Sequence, residues 1–141
     1  MILPDVNTLL HAVNRSAKEH AVALRALRAG FDDPAGVAFA WTALLAFLRL
    51  STRRGIFPNP LSVDDALRVI ENWLRQPHAQ VVHPSDQHAG VVGRLLRSAG
   101  TAGNLTTDAH LAALAIEHGA TIVSFDRDFA RFEGVRWMLP A

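Results

Sequence analysis

The chain has 141 residues, half of them hydrophobic and 19% charged, with a formal net charge of +1 and no cysteine. This composition excludes a disordered tail, a collagen-like chain and a low-complexity linker, which lack the apolar content to offset chain entropy. It also excludes a disulfide frame, a thiol nucleophile, an iron–sulfur cluster and a cysteine zinc site. Lys18 is the only lysine among 14 basic side chains. The arginines suit bidentate phosphate contacts, and near-neutrality confines any nucleic-acid binding to local patches.

No repeat or linker divides the chain, so one domain spanning residues 1–141 is expected. Its most apolar run, Ala35 to Leu48, is 14 residues long, short of the roughly 20 needed to span a bilayer. The amino terminus lacks the basic region of a signal peptide. The expectation is a soluble, cytoplasmic protein.

Met1 to Pro4 reads as a strand that feeds a helix, because Val6, Leu9, Leu10 and Val13 recur at helical spacing. Asp5 sits at that junction. Ser16 is placed to cap a second helix that Gly30 would stop, and Asp32, Asp33 and Pro34 form a turn. Val37 to Ala40 reads as a buried strand and Trp41 to about Leu50 as an apolar helix. The two prolines of FPNP define a loop. Ser62 and Asp65 resemble a capping box ahead of an amphipathic helix that carries Ala66, Ile70 and Trp73.

Ala79 to His83 reads as a short strand and Val91 to Ala99 as a helix. Thr106 or Thr107 is a suitable N-cap for a helix reaching Glu117, with Gly119 as its stop. Ala120 to Phe125 and Val135 to Met138 are further strands, separated by the turn DRDF. Alternating strands and helices predict an α/β domain with a doubly wound, mostly parallel sheet of four to five strands flanked by helices. Ligands in such folds bind at the carboxyl ends of the strands.

Three carboxylates fall at such positions: Asp5, Asp108 and Asp126, with Asp128 close behind. Singly, each has an ordinary explanation as a helix cap or as a charge facing a helix dipole. Together they are harder to dismiss. Asp108 shares a stripe with Leu111, Ala112 and Ala115, so it is carried on an inward face. Asp5 is flanked by apolar residues, where an unpaired charge is costly. Converging like charges raise one another's pKa unless a cation neutralises them. An all-oxygen, cysteine-free site suits Mg²⁺ or Mn²⁺ better than zinc. Such ions grip phosphates and activate water for in-line attack, which makes phosphodiester hydrolysis the first chemistry to expect.

The opening MILPDVNTLLHAVN, the segment GNLTTDAHLAALAIEHGA and the tail TIVSFDRDFARFEGVRW resemble the PIN domain of VapC toxins from VapBC toxin–antitoxin systems, in order and over nearly the whole chain. The resemblance implies a PIN-like fold and a Mg²⁺- or Mn²⁺-dependent endoribonuclease that cleaves tRNA or ribosomal RNA. It further implies inhibition by a cognate VapB-like antitoxin, and a homodimer. By the same resemblance Asp5 and Asp108 match the metal aspartates of the first strand and the late helix. Asp126 matches the acidic residue after the fourth strand, a role Asp128 can share. The third helix departs from the pattern, with Phe47 standing where many PIN domains carry a Glu. That favours a single ion on Asp5 and Asp108.

Asn7 and Thr8 lie close enough to bond Asp5 or a metal-bound water. Arg49, Arg53 and Arg54 can meet RNA phosphates or form a solvated turn. The seven histidines show no metal-ligand spacing, and His110, two positions from Asp108, points to another face. The apolar helices between Trp41 and Leu74 are expected dimer or antitoxin surfaces. Two other readings compete with the nuclease. DVNT faintly resembles the motif of haloacid dehalogenase-type phosphatases, but its second Asp is Asn7 and the later lysine of such enzymes is missing. A catalytically weak RNA-binding or antitoxin-binding module is motivated by Phe47, but would not need all three aspartates.

Overall fold

A computed structural model describes residues 1–141. In chain order the elements are β1 (Ile2–Pro4), α1 (Val6–Val13), α2 (His20–Asp32), β2 (Val37–Phe39), α3 (Trp41–Ser51), α4 (Val63–Leu74) and β3 (Ala79–Val81). The chain continues through α5 (His88–Ala99), α6 (Thr106–His118), β4 (Thr121–Val123) and β5 (Trp137–Met138), with 3₁₀ turns at Gly103–Leu105 and Arg127–Arg131. The five strands form one sheet in the order β3-β2-β1-β4-β5, and every pairing is parallel. This is the doubly wound architecture expected from the alternation of elements.

Side-chain alternation along the strands divides the core into two layers. Val37 and Phe39 face the layer built with α1 to α4, where Leu9, Leu27, Leu44 and Phe47 are buried. Leu3, Ala38 and Ile122 face the other layer, which is filled from α5 and α6 by Leu95, Leu114 and their neighbours. Phe47 is fully buried and its ring centroid lies 4.9 Å from that of Trp73. It is a core residue of the layer built with α1 to α4.

Several local expectations hold. The Ser62 hydroxyl accepts a hydrogen bond from Asp65 N at 3.1 Å, and Gly119 ends α6 with φ 66°, a conformation that glycine adopts without a steric penalty. Others are corrected. Ser16 does not cap α2. Asn14 Oδ1 takes Ser16 N at 3.1 Å in a local turn, and the helix begins only at His20.

Gly30 does not stop that helix either. It is buried inside α2, where a Cβ would lie 2.5 Å from Ile2 Cδ1 and 2.9 Å from Val37 Cγ2. Its role is to let α2 approach the sheet closely. Neither Thr106 nor Thr107 is an N-cap: the Gly103–Leu105 turn runs straight into α6, with Leu105 already in a right-handed helical conformation. Strands β3, β4 and β5 are each shorter than their apolar runs. Ser124, just beyond β4, still donates its N–H to Met138 O of β5 at 3.2 Å, and the residues that follow build the site described next.

Candidate functional site

The sheet order reverses between β1 and β4, and the crevice at the carboxyl ends of such neighbouring strands is where doubly wound folds bind ligands. Asp5 follows β1, and Ser124, Phe125 and Asp126 follow β4. The chains are tied there by Asp5 N donating to Val123 O at 3.0 Å. A cavity of about 200 Å³ opens over this point, with Asp5, Asn7, Asp108 and Asp126 among its lining residues and Thr42, Ala43 and Ala46 of α3 on its opposite wall. The three aspartates singled out from the sequence therefore meet in one pocket.

Asp5 is held from several directions. Its Oδ1 accepts from Val6 N at 2.7 Å, capping α1, while its Oδ2 accepts from Ser124 Oγ at 2.9 Å and Asn7 Nδ2 at 3.3 Å. The fully buried Ser124 is the hub of this wall. Its hydroxyl also accepts from Asp126 N at 3.0 Å and Asn7 Nδ2 at 3.1 Å, which uses one donor and two acceptor sites. Asn7 Oδ1 accepts from Phe125 N at 3.1 Å, and Trp137 Nε1 donates to Ser124 O at 3.1 Å. Thr8 does not reach Asp5 and instead donates to Val123 O at 2.8 Å. Burial pushes the Asp5 carboxyl above its usual range; hydrogen bonds from Ser124 and Val6 oppose the shift, and the charge of Asp126 adds to it.

Asp108 is differently placed. It projects from the first turn of α6, and burial, followed by the charges of Asp5, Asp126 and Asp128, pushes its pKa up to about 6. Carboxylate oxygens of Asp108, Asp126 and Asp128 all lie within 4.8 Å of one another. No Lys, Arg or His pairs with any of the three. Asp128 thus belongs to the tight cluster, and Asp5 stands beside it with its oxygens already hydrogen-bonded. α3 contributes no carboxylate: its pocket-facing side chains are Thr42, Ala43 and Ala46. Arg49, Arg53 and Arg54 are exposed beyond this pocket.

The donor set is chemically that of a hard cation site, with several oxygens, excess negative charge and no sulfur or imidazole. Residues 2–135 match the family model of the PIN domain. Ribonuclease VapC37 of Mycobacterium tuberculosis is 49% identical over 140 residues, covering 99% of this chain and 97% of the relative. The chain belongs to the PIN-domain family of VapC ribonucleases. Ribonuclease VapC33 of the same species is 36% identical, covering 99% of this chain and 98% of its own.

The fold agrees with solved members of the family. VapBC2 from Rickettsia felis, solved bound to a DNA fragment from its promoter, aligns with a TM-score of 0.71 at 16% identity, over 99% of this chain and 98% of that one. VapC20 of M. tuberculosis, described as a sarcin–ricin loop cleaving toxin, aligns with a TM-score of 0.68 at 23% identity, over 96% and 99% of the two chains.

One cluster escaped the sequence reading. On the face of α6 turned to α5, His88 Nε2 lies 2.8 Å from His110 Nδ1, and Glu117 accepts from His88 Nδ1. Glu117 also accepts from Ser85 N at 2.9 Å and from the Ser85 hydroxyl. Burial pushes the Glu117 carboxyl up, but the hydrogen bonds from Ser85 and His88 outweigh it, and the net shift is downward. For His110, burial and then the neighbouring His88 lower the pKa, against a smaller opposing effect of Glu117. His110 does point away from the Asp108 face, but its partner 22 positions earlier follows no ligand spacing legible in the sequence.

Proposed function

We propose that this chain is a Mg²⁺- or Mn²⁺-dependent endoribonuclease, the toxin of a type II toxin–antitoxin pair, which hydrolyses phosphodiester bonds in structured RNA such as tRNA or ribosomal RNA. The observation that carries the reading is the convergence of Asp5, Asp108, Asp126 and Asp128 at the switch point with no protein cation to neutralise them. Asp5, Asp108 and Asp126 would hold the ion, Asp5 and Asp108 foremost, with Asp128 close enough to share the part of Asp126. A divalent ion bound there supplies charge for the reacting phosphate and acidifies an attacking water.

The chain's own residues provide the rest. Ser124 and Asn7 fix the Asp5 carboxylate, and Ser124 fixes the backbone that carries Asp126. This costs no reorganisation when charge develops in the reaction. Thr42 and Thr107 place hydroxyls on the pocket wall, where they donate to phosphate oxygens. Ala43 and Ala46 keep that wall shallow enough for a sugar–phosphate backbone.

The whole chain, residues 1–141, acts as one domain in the cytoplasm. No helix is long and apolar enough to cross a membrane. Trp41 and Leu45 of α3 and Val63 and Leu67 of α4 are exposed apolar side chains, and this surface receives a VapB-like antitoxin or a second copy in a homodimer. The R. felis neighbour was solved as a VapBC complex, which supports such a partner. The absence of an α3 carboxylate favours a second reading, a catalytically weak RNA- or antitoxin-binding module.

Incubating the purified, partner-free protein with tRNA and ribosomal RNA separates the two readings. Cleavage that needs Mg²⁺ or Mn²⁺ and stops on chelation is the expected result. Intact RNA under those conditions, with binding retained, would favour the second reading. Sequencing RNA ends after induced expression then identifies the target.

A further inference from the structure

We propose that the RNA strand leaves the acidic pocket along α3, its flanking phosphates held by Arg49 and by Arg53 and Arg54 just beyond the helix, joined by Arg15 from the end of α1. This deepens, and rests on, the reading that RNA is the substrate. Thr42, Ala46 and Arg49 stand at i, i+4 and i+7 on α3 and so share one stripe. Thr42 and Ala46 line the pocket. Arg49 is exposed and lies about 4.5 Å further along the helix axis than Ala46. Arg53 and Arg54 are exposed in the turn that follows α3.

Two helices lead from the pocket to this patch. α1 begins beside Asp5 and packs against α3, and its 8 residues span about 12 Å. Past its end, Asn14, Arg15 and Ser16 border a groove of about 170 Å³ whose other side includes Phe57 and Asn59. The Arg53 carbonyl accepts from Phe57 N at 3.2 Å, which ties the turn carrying Arg53 and Arg54 to the same groove. None of Arg15, Arg49, Arg53 and Arg54 has a carboxylate partner, whereas Arg68 and Arg75 are paired with Asp65 and Glu71. A pocket of aspartates repels an approaching polyanion, and unpaired guanidinium groups nearby supply the opposing attraction, gripping phosphate oxygens bidentately. Contacts of this kind fix how the strand lies across the pocket and carry no base sequence.

The test is fluorescence-anisotropy titration of end-labelled bacterial tRNA with the purified protein in EDTA, repeated over a series of salt concentrations, with thermal melts to verify that each variant is folded. The wild type should bind with an affinity that falls as salt rises. Arg49→Gln and Arg53→Gln should each weaken binding about two- to fivefold and make the slope of log affinity against log salt shallower by about 0.7–0.9. Arg49→Lys keeps the charge and should keep the wild-type slope. Arg75→Gln, outside the patch, should change neither quantity. A wild type that binds no tRNA, slopes unchanged in both Arg49→Gln and Arg53→Gln, or an equal loss in Arg75→Gln would each overturn the proposal. Because the titration reads binding and not cleavage, the two readings fail separately. Metal-dependent cleavage with unchanged slopes sinks the phosphate track alone, and arginine-dependent binding without cleavage supports the track while sinking the nuclease.

Discussion

Asp5 and Asp108 face the same pocket, yet the two walls that carry them are built on opposite terms. The Asp5 wall is a closed hydrogen-bond network in which one buried hydroxyl, that of Ser124, serves Asp5, Asn7 and the backbone of Asp126. The Asp108 wall groups three carboxylates with no cation, and burial, followed by the neighbouring carboxylate charges, pushes Asp108 up to about 6. The first wall holds a charge in place through fixed dipoles. The second leaves repulsion unresolved, and a bound cation relieves it. Rigidity and electrostatic demand are thus divided between residues that a sequence motif treats alike.

The largest effect is expected from breaking the rigid wall. Ser124→Ala removes a hydroxyl that makes three hydrogen bonds and leaves buried partners unsatisfied, which should cost about 1–3 kcal/mol in a denaturant titration. RNA cleavage should fall with it, because Asp5 loses a hydrogen bond that favours its ionised form.

The open wall responds to pH in the opposite sense from a salt-bridged carboxylate. Because the folded pKa of Asp108 is raised from 3.8 to about 6, the folded state binds more protons than the unfolded state in that window, and stability falls as pH rises through it. Melts of the metal-free protein between those values should show this decline, and saturating Mg²⁺ should flatten it.

Adding charge sharpens the contrast. Ala46→Glu supplies a carboxylate from the pocket-facing side of α3, and should lower the metal-free Tm by a few degrees while tightening Mn²⁺ binding measured by calorimetry. The smallest effect is expected for Asp128→Asn, an exposed position where stability should change by no more than about 0.5 kcal/mol. Even so, the Asp108 titration followed by carbon-detected NMR should move down towards the ordinary range.

The doubly wound fold and the aspartate positions were legible because both rest on local pattern. Helical spacing after Pro4 placed Asp5 at a strand end, and the stripe of Leu111, Ala112 and Ala115 turned Asp108 inward. What escaped depends on contacts between distant segments. Gly30 has the look of a helix stop, and only the approach of Ile2 and Val37 shows why glycine is needed inside α2. Ser124 is an ordinary residue after a strand until Asp5, 119 positions away, is seen to share its hydroxyl. Phe47 stands where the family pattern has a Glu, but its ring packs on Trp73, and the α3 residues that border the pocket are Thr42, Ala43 and Ala46. The pairing of His88 with His110 lies across two helices and leaves no periodic trace.

The central claim is that the repulsion around Asp108 is maintained for a cation used in RNA cleavage. It is tested most directly by Asp108→Asn, measuring metal-dependent cleavage of structured RNA and the metal-free melting temperature on the same preparation. Cleavage should fall by about a hundredfold or more, while the metal-free Tm rises by about 2–4 °C as the repulsion is removed. A variant that cleaves as well as the wild type, or one that loses stability in the absence of metal, would contradict it.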